Sequence, residues 1–387
     1  MIGYIVDRFC ASKNIFELNI KYLFLVGLWP EERWNKNQRF LYKIYQITLL
    51  CFSIILLIIS GIGTYQIKND LFIFFANIDK SIVAYNYFLK VLFFLMHREK
   101  LKKLVDDILL SGDRVADDSR SSMIKHLVLI TAFNTGLMVV FSILALHNGE
   151  MTMEAWMPFD ARKNKMNLAL SAQIVAVLFG IPFSYRAIGM QGIICSLLIY
   201  LCDQLKTLQD KIQKLHYSIE NDKEARKALN KIFMKHIRLI YSSELEEMFK
   251  EYFLIQNLAV TMELCLGAMM VTMVGTDQFY RLVGFLALVG LALLNAYIYS
   301  HFGNELIDQS EGLAFAAYSS NWTAWPVDMQ KSILLIIRAA QRPFQMSAGG
   351  VAVISMQSYG TVCVHKRFFF RFNLNSILNQ KICVCER

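Results

Sequence analysis

Five aspartates, Asp106, Asp107, Asp113, Asp117 and Asp118, crowd one short stretch of the chain, and acidic clusters are where a divalent cation would first be sought. They lack the alternating ligand spacing and central glycine of a calcium-binding loop, so a solvated acidic helix face is the expectation. Cys383 and Cys385 are separated by one residue, too close for the usual zinc-ligand pair, while Cys51, Cys195 and Cys265 sit in or beside apolar runs as small buried hydrophobes. Neither a metal site nor a disulfide framework is indicated. The chain has no HExxH helix, no GxSxG elbow and no phosphate loop ending in Gly-Lys-Ser/Thr; Gly61-Ile62-Gly63 lacks both the third glycine and a preceding strand. Glu263 remains, a lone carboxylate in an apolar run, and such a group is expected to be a paired structural residue rather than a catalyst. No enzymatic activity and no cofactor are expected.

The elements that carry these residues are membrane helices. Of the 387 residues 55% are hydrophobic and 18% charged, with mean hydropathy +0.38, and the apolar residues gather into long uncharged runs instead of short amphipathic elements. Ile44 to Ile67, Leu127 to Leu146, Met166 to Tyr185, Leu282 to Asn304 and Pro343 to Val364 contain no Asp, Glu, Lys or Arg, and each reaches the roughly 20 residues that a span needs. Two further runs are interrupted: Leu71 to Met96 by Asp79, Lys80 and Lys90, and Tyr252 to Thr276 by Glu263. Charge is costly in hydrocarbon, so these residues are expected to face neighbouring helices, an aqueous cavity or the membrane boundary. The fold class is therefore an all-α integral membrane protein with seven transmembrane helices.

Basic residues set the orientation. Six Lys and Arg precede residue 41, seven lie between His97 and Lys125, and ten between Asp203 and Lys250, whereas Gln66 to Asp70 has only Lys68 and His147 to Asn167 only Arg162, Lys163 and Lys165. The positive-inside rule then makes the N-terminus cytoplasmic and, with seven spans, the C-terminus extracellular. No cleavable signal peptide is expected, because Asp7, Arg8, Lys13 and Glu17 interrupt the first stretch. The net charge of +9 resides in loops facing anionic lipid, which makes nucleic acid an unneeded partner. The apolar run from Leu168 continues to Cys202, about 50 Å as one helix, so it must protrude beyond a core of about 30 Å. Asp203 to Lys250 alternates Leu and Ile with charges at helical spacing, and Glu305 to Arg342 mixes both classes; together they imply a packed cytoplasmic layer of helix extensions, with a loop at Ser218 to Glu224.

A specific resemblance rests on the C-terminal third. His301-Phe-Gly-Asn-Glu-Leu-Ile-Asp-Gln-Ser310, Ala317-Tyr318, Trp322, Pro326, Arg338-Ala-Ala-Gln-Arg-Pro343 and Ser347-Ala-Gly-Gly350 occur in the order and spacing of insect odorant receptors. Leu201-Cys202-Asp203-Gln204-Leu205 and the segments Glu244 to Glu247 and Glu263 to Cys265 extend the likeness upstream, so that it covers the chain to about Val362. The resemblance implies the ligand-recognising subunit of an odorant-gated, non-selective cation channel, built as a heterotetramer with the shared odorant co-receptor in the plasma membrane of olfactory neuron dendrites. A non-channel transporter or a structural membrane protein is the alternative; the halves show no internal repeat that would favour a transporter.

The same resemblance divides the chain into a cytoplasmic segment 1–40, helices one to six over 41–302 with a cytoplasmic extension at about 203–250, anchor helices 303–345, a pore-type seventh helix 346–364 and a tail 365–387. It places a small volatile odorant in the outer half of the bundle, where this orientation puts Phe72, Phe75, Met138, Phe141, Gln173, Phe179 and Tyr280. It places Ser347, Gly349, Gly350 and Gln357 on the pore helix, the small residues permitting close helix approach. After Val362 the chain departs from the family pattern: His365-Lys366-Arg367 would bring positive charge to the outer mouth of a cation pore, where it would repel the permeant ion. Translated intron or a shifted reading frame is the expectation for that tail.

Overall fold

In the computed structural model the described residues are 8–9, 14–31, 34–148, 151, 153–161, 163–241, 244–273 and 279–361. The tail 365–387 lies outside them. In chain order the elements are α1 (Glu17–Leu25), α2 (Lys36–Gln66), α3 (Leu71–Leu110), α4 (Asp117–Asn148), α5 (Lys165–Phe179), a π-helical segment Gly180–Tyr185, α6 (Arg186–Gln213), α7 (Asp222–Tyr241), α8 (Glu244–Met273), α9 (Phe279–Ser319), α10 (Val327–Ala340), and a hairpin of β1 (Ser347–Ala348) with β2 (Ala352–Val353). Five helical runs among the described residues are long and apolar enough to cross a bilayer: Lys36–Gln66, Asp117–Val140, Lys165–Gln213, Asp222–Met270 and Val283–Ser319. α3 joins them as a transverse element despite its charges, because it turns Asp79 and Lys90 inward, each 3% exposed.

Local chemistry sets the boundaries. Asn35 and Gln38 form a capping box at the start of α2, and the Asp70 carboxylate accepts from the backbone N–H groups of Phe72 and Ile73, both at 3.1 Å, to start α3. α5 and α6 form one continuous rod, as the unbroken apolar run predicts; the π turn falls where Pro182 has no N–H to give to the helical ladder. α3 and α9, at 40 and 41 residues, rise about 60 Å each, twice a hydrocarbon core, so one end of each must project.

The projecting ends form the expected layer, and the main core is there. Buried Val91, Leu101 and Val105 of α3, Ile193 to Ile212 of α6, Leu229 and Ile232 of α7, Leu245 to Phe253 of α8, Leu306 to Ala317 of α9 and Ile333 and Ile336 of α10 form one cluster. Towards the other end the clusters among the described residues are small, and Ile44, Ile47, Ile54, Ile55 and Ile58 of α2 are exposed as a lipid-facing stripe must be. The turn after α6 spans 214–221, and α7 begins within the loop expected at Ser218 to Glu224 because alternating Leu and Ile extend the helix to Asp222.

Two polar devices lock this layer. Four successive carbonyls at the end of α1 are capped by side chains: Tyr42 donates to Phe24, Tyr45 to Leu25 and Gln46 to Gly27, each at 2.8 Å, and Arg186 to Val26 at 3.0 Å. Asp113 accepts from Tyr200 at 2.7 Å and pairs with Lys235 at 3.3 Å and with Arg238. Burial would raise its carboxyl, but the Tyr200 hydrogen bond and the Lys235 and Arg238 charges outweigh it and hold the group below the usual carboxylate range. The acidic-face expectation is thus corrected at one position: Asp106, Asp107, Asp117 and Asp118 are exposed, and Asp113 is a turned-in ionic link between the α3–α4 connection and α7.

The larger correction is the seventh span. Pro343 to Val364 is uncharged, but helix begins only at 356 and is described to 361; the residues before it form the β1–β2 hairpin. Gly349 and Gly350 adopt φ of 62° and 72°, a left-handed pair that turns the chain instead of packing helices. The hairpin is fastened to α8: Gly349 N–H donates to the Lys250 carbonyl at 2.8 Å, and Ser347 Oγ to Glu246 Oε1 at 2.6 Å. It also abuts α9, where a Cβ on Gly303 would stand 2.4 Å from the Ile354 carbonyl oxygen.

Candidate ligand site

Five helices meet around a small cavity of about 20 Å³, room for about one water molecule, that opens on one side. α3 contributes Tyr87 and Lys90, α4 Ile130, Phe133 and Asn134, and α6 Ala187, Ile188 and Gln191. α8 adds Tyr252 and Gln256, and α9 adds Leu291, Asn295 and Tyr299. The α3–α8 pair holds the polar side: Lys90 Nζ donates to Gln256 Oε1 and stands 5.6 Å and 5.0 Å from the ring centroids of Tyr87 and Tyr252. The Tyr252 and Tyr299 hydroxyls hydrogen-bond at 2.9 Å and tie α8 to α9 across the floor. Phe253 stacks edge-on to Tyr299 at 5.3 Å and fixes that ring. The site is a narrow aromatic-lined gap with a few oriented polar groups, and a molecule larger than water would enter it only if side chains moved.

Residues expected to contact ligand are distributed elsewhere. Phe72 and Phe75 pack with Ala76, Met269, Met270 and Phe285, the Phe72 and Phe285 rings meeting edge to face at 6.2 Å. Phe179 stacks on Phe183 at 5.9 Å and reaches Tyr87 at 6.3 Å, so it backs a wall of the cavity without lining it. Met138 is half-buried on α4, and Gln173 is exposed on α5. The side chains of Phe141 and Tyr280 lie outside the described residues. Tyr87 and Lys90 follow the start of α3 by about 24 to 29 Å of helical rise, so the cavity lies at the far end of that span from Phe72 and Phe75. Gln357 is exposed on the helix at 356–361, Ser347 is buried in β1, and Gly349 and Gly350 occupy the turn.

The sequence carried one signal for this site, the lysine in an apolar run, and its expected inward orientation is what the structure has. Tyr87, Gln256, Asn295 and Tyr299 were not singled out, since a polar residue within an apolar helix is legible but its partner across the bundle is not. Asp79 is likewise buried, and Glu263 lies half-buried on α8.

A family model described as 7tm Odorant receptor matches residues 74–363. Among curated relatives, Odorant receptor 10 of Aedes albopictus is 24% identical over 189 residues, covering 48% of this chain and 50% of that protein. Odorant receptor 49a of Drosophila melanogaster is 34% identical over 88 residues, 22% of each. The matched stretches thus span half or less of the length of these relatives. The olfactory receptor OR5 from Machilis hrabei superposes with a TM-score of 0.74 at 17% identity, over 92% of this chain and 96% of that one. The same receptor in complex with eugenol gives 0.74 at 18% identity, over 93% and 97%. At these identities the structures establish a common fold.

Proposed function

This chain belongs to the 7tm odorant receptor family, and on that premise we propose that it is the odorant-recognising subunit of a ligand-gated, non-selective cation channel, assembled with the shared co-receptor as a heterotetramer in the plasma membrane. The observation that carries the reading is the odorant-receptor family match over residues 74–363, joined to a fold shared with an olfactory receptor over 92% of the chain; the small aromatic-lined cavity at the meeting of five helices is where an occupant would be sought. Burial and shape supply most of the affinity of such a site for a small volatile molecule. A receptor of this fold has been solved with eugenol, which supports the same kind of occupant here.

The proposed orientation keeps the N-terminus, the α7 layer and α10 in the cytoplasm, on the strength of Lys and Arg placement. The helix that starts at 356 is the pore helix, with Gln357 in its first turn; α10 and the extensions of α3, α6, α8 and α9 are the subunit anchor. Transmission runs along α8. Tyr252 and Gln256 face the cavity, and Lys250 and Glu246, about half a turn to three turns earlier, hold the hairpin that leads into the pore helix. A ligand that moves α8 by a fraction of an ångström therefore moves the hairpin with it.

The test is co-expression with the co-receptor and current recording during odorant application, for this chain and for one given a family-type apolar C-terminus after Val362. Odorant-evoked cation current supports the proposal. Silence of the repaired chain across a broad panel, or substrate flux without channel conductance, overturns it.

A further inference from the structure

Four polar side chains of α9, Tyr297, His301, Asn304 and Asp308, follow one another at intervals of four, three and four residues and so form one ridge along the helix. The ridge adjoins the helix described over 356–361. Met356 N–H donates to Asn304 Oδ1 at 3.4 Å, and the Tyr359 ring meets the Tyr297 ring edge to face at 5.8 Å, so the two segments run antiparallel. Backbone N–H groups in a first helical turn have no partner within their own helix. Ser355 Oγ accepts from Ser358 N–H at 3.2 Å, a local cap, whereas the Met356 N–H is taken by another helix. Asn304 can serve there only with its oxygen turned to Met356, and the two ends of an amide have nearly the same size and shape. Asp308 makes the choice: its carboxylate accepts from Asn304 Nδ2–H at 2.8 Å and has nothing to donate, which leaves Oδ1 for the Met356 N–H. The Tyr297 ring is steadied in turn by stacking on His301, with centroids 5.8 Å apart and planes 8° from parallel. These contacts add little to the hold of α9 on the bundle. Tyr297, His301 and Asp308 are exposed, and Tyr299, Leu306 and Leu313 pack into the main core from the opposite face of the helix.

From this geometry we infer that the ridge is a clasp that sets the resting position of the terminal helix: Asp308 orients the Asn304 amide, Asn304 holds the Met356 N–H, and Tyr297 braces Tyr359. The three are positioning residues and touch neither ligand nor ion. The consequence for gating rests on the odorant-gated channel reading, in which this helix lines the pore, and adds to it a hold from α9 beside the one from α8. A shift of the terminal helix along α9 breaks the Asn304 hydrogen bond and parts the ring pair, so a weakened clasp favours the displaced position.

Hydrogen exchange over 354–360, measured on the full chain in lipid nanodiscs, reads the clasp directly, and basal and odorant-evoked currents in the co-expression assay read its consequence. Asn304→Leu removes the acceptor and should speed exchange in that segment by about fivefold to tenfold. Asp308→Asn keeps the size of the side chain but lets two amides pair in either sense, and should speed exchange by about threefold, whereas Asp308→Glu, which still only accepts, stays close to the wild type. Exchange at Gly349, whose N–H is held by α8, stays unchanged in all three, which separates a released clasp from general loosening. Basal current and odorant potency should shift in the same order, by about threefold to tenfold in N304L and D308N and little in D308E. Asp308 is exposed, so its two variants decide the question even where N304L fails to fold. Unchanged exchange over 354–360 in D308N, equal effects of D308N and D308E, or faster exchange with no change in current overturns the inference. A wild-type chain silent to every odorant removes the channel premise instead, and the order of exchange among the variants then still decides whether the clasp exists.

Discussion

Gly303 of α9 is where the backbone just after β2 closes on that helix, and replacing it by alanine tests whether that contact holds the two together. The added Cβ would stand 2.4 Å from the Ile354 carbonyl oxygen and 3.1 Å from Ile354 Cγ2, against ordinary contacts of 3.4 Å or more. The backbone after β2 must retreat by about an ångström, and overpacking of this kind costs about 1–3 kcal/mol. Alanine also favours a helix interior over glycine by about 0.5–1 kcal/mol, so the raw effect of Gly303→Ala understates the clash. Gly290 supplies the internal control: it lies in the same helix, and a Cβ there meets nothing within 4 Å. The helix gain cancels between the two variants, so G303A should fall about 1–3 kcal/mol below G290A in thermal or denaturant unfolding of the purified chain, while G290A equals or exceeds the wild type. In the co-expressed channel a displaced hairpin changes the closed–open balance, by about tenfold for each 1.4 kcal/mol, whereas G290A leaves odorant potency as it was. If G303A and G290A unfold together and respond alike, the hairpin is not seated on α9 as described.

Ser347→Ala removes the hydrogen bond to Glu246 and should cost about 1–2 kcal/mol, read as a lower midpoint of unfolding and as altered basal current; an unchanged value for both would separate the hairpin from α8. Asn77 holds the connection after α4 by donating to Thr64 at 2.8 Å and to the Glu154 carbonyl at 2.9 Å and accepting from Glu154 N–H at 2.9 Å; Asn77→Ala should cost about 2–3 kcal/mol and speed hydrogen exchange selectively at Glu154 to Trp156. Asp113 has a depressed folded-state carboxyl, so its contribution is complete above the unfolded carboxylate value near 4 and disappears as pH falls through the lower folded one; Asp113→Asn should cost about 2 kcal/mol at neutral pH and flatten the acid limb of the stability profile. The double variant Lys90→Met with Gln256→Leu replaces a buried polar pair by apolar groups and should be neutral or more stable by about 1–4 kcal/mol; a loss beyond about 2 kcal/mol would mean that the pair holds the bundle together.

The helices were legible because a bilayer imposes length and charge rules on single segments, and the uncharged runs obey them one at a time. The layer of extensions was legible for the same reason, since a rod of 40 residues must leave the hydrocarbon somewhere. The hairpin was not read, although its signal was present: Gly349-Gly350 between Ser-Ala and Val-Ala-Val is a turn pair between short strands, and absence of charge over Pro343 to Val364 outweighed it. The cavity was legible only in part. Lys90 announced itself as a charge with no business in lipid, but Gln256, Asn134, Gln191 and Tyr299 became a site only when five helices met, and no spacing within one helix encodes the rotation of another. The expected contact residues lie at another depth than this cavity: Phe72 and Phe75 begin α3, whereas the cavity lies about five turns later, beside the long extensions of α6, α8 and α9, which hold the helices in a fixed frame.

That frame bears on how the proposed ligand recognition and gating would share one helix. α8 is buried in the main core at its first turns, through Leu245, Phe249 and Phe253, and beyond Gln256 it turns Leu258 and Met262 outward while Val260 and Leu264 pack on Ala292 of α9. The cavity residues Tyr252 and Gln256 sit where the main core gives way to these smaller clusters. In the proposed channel, a ligand that displaced Gln256 from Lys90 would remove one polar tie between α8 and α3, while apolar packing and the Tyr252–Tyr299 hydrogen bond keep α8 on its neighbours. The hairpin, fastened to α8 by Ser347 and Gly349 and adjoining α9 at Gly303, would then experience any shift of α8 as a shear between its two supports. Binding energy is converted to movement only if the ligand makes different contacts in the two positions of α8.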